Sequence, residues 1–422
     1  MKTEFNLEFI NGVDMKKIYN SSQNEDIQSL INSLKLTEKL WNYKNNIYKV
    51  IRYDKNFISN DMIRTTGLFR SVILNNKNEI IVFSPPKSLS SDTFMRENPD
   101  TSKVVAEEYM EGTMINLFWN SNCSEWEIAT RSTIGGEIIF FESEDKLVTF
   151  RTMFLDVCNA VNLDFDSLNK NYIYSFIMQH PLNRIVKPII EKMLYLVKVY
   201  SFGETDKFTV YDVNKEDIYK QYFSNNTTIQ LPEKYTFSSY EELINKYASM
   251  NTQYDSVGVM LHAENGDRSK LRNPNYEYVR KLRGNQPKLQ YEYLSLRKTG
   301  KMTEFLKFYP EYKKNFYEYR KQLHNFTQTL YYNYVSCYIN KERPLNEFPK
   351  EFRMSMYNLH QYYLDRLRED KKHVSFKVVV EYINNLHQAQ QMHLLNYNIR
   401  KQFVDCVKMD VKTNETDETN EL

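Results

Sequence analysis

The stretch Val105-Ala-Glu-Glu-Tyr-Met-Glu-Gly-Thr-Met-Ile-Asn-Leu-Phe-Trp119 decides the fold. Its second half, Met114 to Trp119, is a β-like run, and a short turn region separates it from Trp126-Glu-Ile-Ala-Thr-Arg-Ser-Thr-Ile-Gly135. Two such runs in succession read as an antiparallel hairpin. Glu111-Gly112-Thr113 is a tight entry into the first strand, where glycine lets a ligand come close to the backbone. The hairpin presents Glu111, Thr113, Asn116, Thr130, Arg131 and Ser132 amid apolar neighbours. Trp119 and Trp126 flank it, able either to stack a base or to pair with each other across the strands.

Outward from this hairpin the same texture continues. Short β-like runs stand at Ile47–Tyr53, Phe69–Leu74, Ile80–Phe83, Ile138–Phe141, Tyr172–Met178, Leu194–Phe202, Phe208–Asp212 and Ser256–His262. Asn75 to Asn78 supplies a hairpin turn, and Asp26 to Leu40 reads as a helix. The expectation is an α+β region built mainly on antiparallel strands, two sheets around a groove. All ten glycines lie at or before Gly300 and no proline follows Pro349. Beyond them the apolar residues step by three and four: Tyr319, Leu323, Phe326, Leu330, Tyr334, Cys337, then Met356, Leu359, Tyr363, Leu367, then Val379, Ile383, Leu386. That spacing paints one face of successive helices. The expected organisation is an N-terminal α/β extension packed on the core (1–64), a groove-bearing domain (65–300), an all-α domain (301–408) and a disordered acidic tail (409–422), since Thr413–Leu422 carries four acids and no base.

Composition excludes several classes. The chain has 422 residues, 41% hydrophobic and 26% charged, which fits a soluble globular protein of two or three domains. Average usage would give roughly 30 glycines; with ten, neither a P-loop nor a dinucleotide fingerprint is present. The four cysteines are far apart and the seven histidines scattered, so no metal site is expected, and a reducing compartment is. The N-terminus shows no apolar core behind a basic head, and no stretch approaches the roughly 20 apolar residues of a membrane span.

The formal net charge of +2 conceals a concentration. Between Arg268 and Lys301 ten bases, among them Lys270, Arg272, Arg280, Lys281, Arg283 and Lys288, meet only Glu277 and Glu292. Tyrosines 276, 278, 291 and 293 are interleaved. Bases that neutralise phosphate beside aromatics that stack on bases compose a nucleic-acid surface; a solvated helix face with inward tyrosines has the same composition. His180 and His262 stand beside these segments, as acid/base groups or as structural residues.

Taken together these pieces resemble the covalent nucleotidyltransferases, specifically the bacteriophage-type RNA ligases with their Lys-x-Asp-Gly-Ser motif. Glu111-Gly112-Thr113 matches the end of that motif, and Arg70-Ser-Val-Ile is similar to the family's upstream Arg-Gly strand. Ile81-Val-Phe-Ser-Pro-Pro-Lys87 and Thr130-Arg131-Ser132 resemble the strands that flank it. Pro181-Leu-Asn-Arg-Ile-Val186, Val257-Gly-Val-Met260 and Lys270-Leu-Arg272 follow in the family's order. The resemblance covers roughly residues 65 to 285 and implies a nucleotidyltransferase-like fold with ATP or GTP and Mg2+ as cofactors. It implies nucleotide binding by Arg70, Lys87, Glu111, Gly112, Arg131, Lys270 and Arg272, and RNA binding by Arg280, Lys281, Arg283 and Lys288. Relatives of this kind in large cytoplasmic DNA viruses imply host cytoplasm or virion as the location.

The departures strike the chemistry. In the family a lysine amine attacks the α-phosphate while carboxylates hold the metal. Here Tyr109 stands at the nucleophile position, Ser175 and Val257 stand where glutamates are expected, and Asp255 is offset from the second of these. A phenol without an evident base beside it is a poor substitute for an activated amine. Three readings follow: a degenerate enzyme that binds nucleotide or RNA; an active RNA ligase or capping-type transferase using a displaced lysine, Lys103 or Lys87; and a non-enzymatic virion or assembly protein whose helical domain meets a protein partner.

Overall fold

The computed structural model describes residues 3–20, 25–139, 148–203, 207–225 and 227–402. Contacts divide the chain between Arg283 and Gly284 into two compact units.

In the first unit the strands are β1 (Glu4–Asn6), β2 (Phe9–Ile10), β3 (Val13–Asp14), β4 (Leu36–Tyr43), β5 (Asn46–Tyr53), β6 (Val72–Leu74), β7 (Ile80–Phe83), β8 (Val104–Glu108), β9 (Thr113–Asn120) and β10 (Glu125–Ala129). They continue as β11 (Tyr172–Gln179), β12 (Met193–Phe202), β13 (Thr209–Val213), β14 (Lys234–Tyr235), β15 (Gly258–Ala263) and β16 (Arg268–Arg272). Every strand pairing is antiparallel. A six-stranded sheet has the order β1-β13-β12-β11-β9-β10, and two four-stranded sheets have the orders β4-β5-β6-β7 and β14-β8-β15-β16. The fold is thus α+β on antiparallel sheets, with three principal sheets where two were expected.

The helices of this unit are α1 (Lys16–Tyr19), α2 (Glu25–Ser33), α3 (Ser91–Glu97), α4 (Phe150–Ala160), α5 (Lys215–Tyr222), α6 (Tyr240–Tyr247) and α7 (Pro274–Arg283). The six-stranded sheet is apolar on both faces. One face joins Phe118, Ala129, Ile173 and Tyr200 to Val50, Ile73 and Phe83 of the β4–β7 sheet. The other gathers Leu117, Tyr174, Phe176 and Leu196 under Phe154, Val157, Ile218 and Phe223 of α4 and α5. The third sheet packs Val259, Leu261 and Leu271 against Phe94 of α3 and Leu243 of α6.

Residues 1–64, expected as an α/β extension packed on the core, contribute strands to its sheets. β1 pairs with β13 as the edge of the central sheet, and β4 and β5 make half of another. The helix expected over Asp26–Leu40 ends at Ser33, because Lys35 takes a left-handed φ of 56° that breaks the helical path and Leu36 opens β4. The strand expected at Ile138–Phe141 lies partly outside the described residues; Ile138 and Ile139 are not in a strand. The hairpin at its centre is as read: Trp119 faces Trp126 across β9–β10, ring centroids 5.7 Å apart and edge-on, so these tryptophans pair with one another.

The second unit holds α8 (Leu289–Thr299), α9 (Met302–Phe308), α10 (Lys313–Tyr334), α11 (Lys350–Tyr362), α12 (Phe376–Asn385) and α13 (Gln388–Leu395). The predicted stripe is buried at Leu323, Leu330, Tyr334, Met356, Leu359, Val379 and Ile383. The unit begins before the boundary expected at residue 300, because α8 belongs to it: Tyr293 packs edge-on against Phe316 of α10 at 5.2 Å. The acidic tail lies outside the described residues.

Candidate functional site

Where the three principal sheets of the first unit converge, a groove of about 630 Å³ opens. Its floor comes from strand periodicity. In β16, Arg268, Lys270 and Arg272 occupy alternate positions and point into the groove, while Ser269 and Leu271 point the other way and are buried. Tyr53 and Lys55 enter from the end of β5, Arg70 from just before β6, Lys87 from the loop ahead of α3, and Arg131 from just after β10. Tyr109, Met110, Glu111 and Gly112 form the crossing from β8 to β9, and Tyr276, Glu277 and Arg280 arrive on α7.

Two glycines make that crossing feasible. Gly112 has a φ of +147°, and a Cβ there would meet the Met178 carbonyl oxygen at 2.5 Å. Gly258, whose carbonyl accepts the Tyr109 N–H at 3.1 Å, has a φ of +125°, and its Cβ would stand 2.0 Å from the Leu271 carbonyl oxygen. Both sit in motifs singled out from the sequence, but their immediate duty is to let neighbouring strands approach.

The groove is lined by eight cationic side chains and two carboxylates. Both carboxylates are committed. Oε1 of Glu111 accepts the backbone N–H groups of Ile185, Val186 and Lys187 at 3.3, 3.0 and 3.2 Å, and Oε2 accepts Lys187 again at 3.1 Å. Tyr276 also bonds to Glu111; burial first, then that carboxylate, raises the phenol's pKa. Glu277 accepts Arg272 at 3.1 Å and Arg280 at 3.2 Å. Among the described residues, Lys55, Arg70, Lys87, Arg131, Arg268 and Lys270 have no carboxylate within ion-pair distance.

These cations press on one another. Burial, then Arg70 and Arg268, pushes the Lys270 amine well below the usual lysine value, and its Nζ lies 5.0 Å from the centre of the Tyr109 ring. Burial lowers Lys87 as well. Arg131 stands 5.1 Å over the Tyr53 ring. Nε of Arg131 and Nε of Arg268, the latter side chain only 9% exposed, are buried donors with no acceptor. Such an arrangement leaves desolvated donors unsatisfied until an anion enters.

Of the residues picked from sequence, Arg70, Lys87, Tyr109, Glu111, Gly112, Arg131, Lys270, Arg272 and Arg280 come together in this groove. Lys103 does not: it sits on an exposed turn 3.4 Å from Asp100. Lys281 is exposed and Arg283 buried, neither lining the groove, and Lys288 stands just ahead of α8 in the second unit. Ser175 is fully buried and donates to Asn116 at 2.7 Å, so the position expected to carry a metal-holding glutamate forms part of an inter-strand bond. Val257 lines the groove, and Asp255 is exposed outside it. His180 caps a turn and bonds Asp156 at 2.9 Å, while His262 faces Glu107 at 3.6 Å in a separate cavity of about 310 Å³. Sequence reasoning missed Tyr53, Lys55 and Arg268 as site residues. The period of two along β16 carried the signal for Arg268; nothing local marked Lys55.

Among the described residues no helix is long and apolar enough to cross a membrane, and no group of three metal-ligating side chains gathers. No family model matches the chain, and no curated protein matches it. Solved structures that it resembles include RNA and DNA ligases. A mutant of Naegleria gruberi RNA ligase with ATP and Mn is 8% identical, with 47% of this chain and 58% of that one covered at a TM-score of 0.33. An archaeal ATP-dependent RNA ligase is 11% identical, covering 67% and 68% at 0.39, and a candidate ATP-dependent DNA ligase from Aquifex aeolicus is 13% identical, covering 81% and 80% at 0.38. The chain therefore spans about 58% of the length of the Naegleria ligase variant that it matches.

Proposed function

We propose that this protein binds a phosphate-rich ligand, a nucleotide or an RNA end, in the groove and forms no covalent nucleotidyl-lysine there. One observation carries the reading: six cations that have no carboxylate partner among the described residues line one groove with Tyr109, the residue that stands where the resemblance calls for a lysine. Phosphate oxygens supply the acceptors that the buried Arg131 and Arg268 donors lack. Tyr53, half-buried in the groove lining, offers a ring face to a base. Arg272 and Arg280 can exchange Glu277 for ligand phosphate at little cost, since both are surface-exposed.

The test is incubation with α-labelled ATP or GTP and Mg2+ or Mn2+, followed by denaturing electrophoresis. No labelled band is expected, while a fluorescent RNA should bind with a salt slope of about −3 to −4 if four to six phosphates are met. A band abolished by changing one lysine refutes the non-covalent reading. A second reading, a transferase using a displaced lysine, Lys103 or Lys87, is favoured by the place of Lys87 in the groove lining. It predicts a labelled band that disappears in Lys87→Met and persists in Lys103→Met, since Lys103 lies on an exposed turn outside the groove.

A further inference from the structure

The resemblance implies a nucleotide with a divalent metal, so the groove's donors decide whether a metal fits. A hard divalent cation needs several oxygen ligands, carboxylates first among them. The groove offers two. Glu111 is 5% exposed and spends its oxygens on three backbone N–H groups; turning it to a metal would strip all three of their acceptor. Glu277 is held between Arg272 and Arg280. The two positions where glutamates are expected hold a buried hydroxyl committed to Asn116 and a valine. The remaining charged groups facing the cavity are all positive, and a divalent ion would sit among them. The residues present do not fit the metal.

We propose that the groove takes a polyphosphate as the bare, unchelated anion, with fixed guanidinium and ammonium groups standing where a divalent cation would otherwise neutralise charge. This rests on the phosphate-binding reading above and names the form of ligand that the site accepts. Arg70, Arg268 and Lys270 supply the deep positive charge, and Lys87 and Arg131 line the same groove from the loops after β7 and β10. Arg268 is the strongest single indication: a side chain nine-tenths buried whose Nε has no acceptor. Because Mg2+ and the groove compete for the same phosphate oxygens, Mg2+ works against binding. Apparent affinity falls by the fraction of ligand left unchelated.

Calorimetric titration of the full chain with inorganic triphosphate, first in EDTA and then in saturating Mg2+ at matched ionic strength, tests this. Binding is expected in EDTA and should weaken at least about tenfold in Mg2+, while Mg2+ alone should neither release heat nor raise the melting temperature. Binding that is equal or tighter in Mg2+ overturns the metal-free proposal and leaves the phosphate-binding reading standing. No binding in either medium by a protein with a cooperative melt overturns both. Arg268→Met should abolish the EDTA signal with the melt retained; an unchanged signal removes Arg268 from the site and refutes the proposal. If that variant fails to fold, the wild-type comparison between EDTA and Mg2+ still decides the matter.

Discussion

Replacing Glu111 separates structure from recognition. Its carboxylate accepts three backbone N–H groups from the loop that includes Val186, which is fully buried. Hydrogen bonds to a charged acceptor are worth about 1.5–3 kcal/mol each, and a buried donor left unpaired costs about 1–3 kcal/mol. The Lys187 N–H can recover water because that residue is exposed, so the loss falls mainly on the other two. Glu111→Ala should therefore destabilise the first unit by about 4 kcal/mol, a large share of the 5–15 kcal/mol of a typical domain. Glu111→Gln keeps one carbonyl oxygen in place and should cost about 1–2 kcal/mol. All three tryptophans, Trp41, Trp119 and Trp126, lie in this unit, so their fluorescence in urea follows its unfolding alone. With a slope near 3 kcal/mol/M, the alanine variant's midpoint should fall by more than about 1 M. Folded at low temperature, it should still bind triphosphate. An unchanged midpoint with binding lost would refute the reasoning and make Glu111 a ligand-facing carboxylate.

Two further perturbations read other parts of the groove. Gly258→Ala forces a Cβ to 2.0 Å from the Leu271 carbonyl oxygen at a φ of +125°, and should cost at least about 2–3 kcal/mol in the same urea assay; a shift below roughly 0.3 M contradicts it. Lys270→Met should stabilise the protein at neutral pH, raising its urea midpoint. The sign follows from linkage: folding depresses the amine's pKa, so the unfolded state binds more protons between the lowered value and the ordinary one near 10.4. Wild-type stability should rise with pH through that window, and the gap to the Met variant should close. Parallel pH curves for the two proteins would contradict this origin of the shift.

Much of the fold was legible because side-chain period is a local property. The hairpin around Trp119 and Trp126, the runs that became β5, β11, β12 and β13, and the helical stripe from Phe316 onward all announce themselves within a few residues. β4 did not, and its turn explains why. Tyr43-Lys44-Asn45-Asn46 is a two-residue hairpin connection with φ of 49° and 60° at its centre, normally signalled by Asn-Gly or Asp-Gly. In a chain so short of glycine, lysine and asparagine take left-handed positions, as Lys35, Asn78 and Asn162 also do, and the usual punctuation vanishes. The site was half legible. Motif residues revealed Arg70, Lys87, Arg131 and Lys270, but what their neighbours do with Glu111 depends on a loop some seventy residues away. Lys55 joins them only because β5 ends at the meeting of three sheets.

The crowding of unpaired cations also bears on how this molecule is built. At the floor of the groove, burial together with Arg70 and Arg268 disfavours the charged Lys270 amine, and of the two lining acids Glu277 pairs with Arg272 and Arg280 rather than with this cluster. On the proposed reading, an entering polyanion would relieve the repulsion of Arg70 and Arg268 on that amine, so occupancy and rigidity of the three-sheet junction would rise together. On that same reading, protein purified from cells should carry nucleic acid or polyphosphate with it, despite a whole-chain charge of only +2.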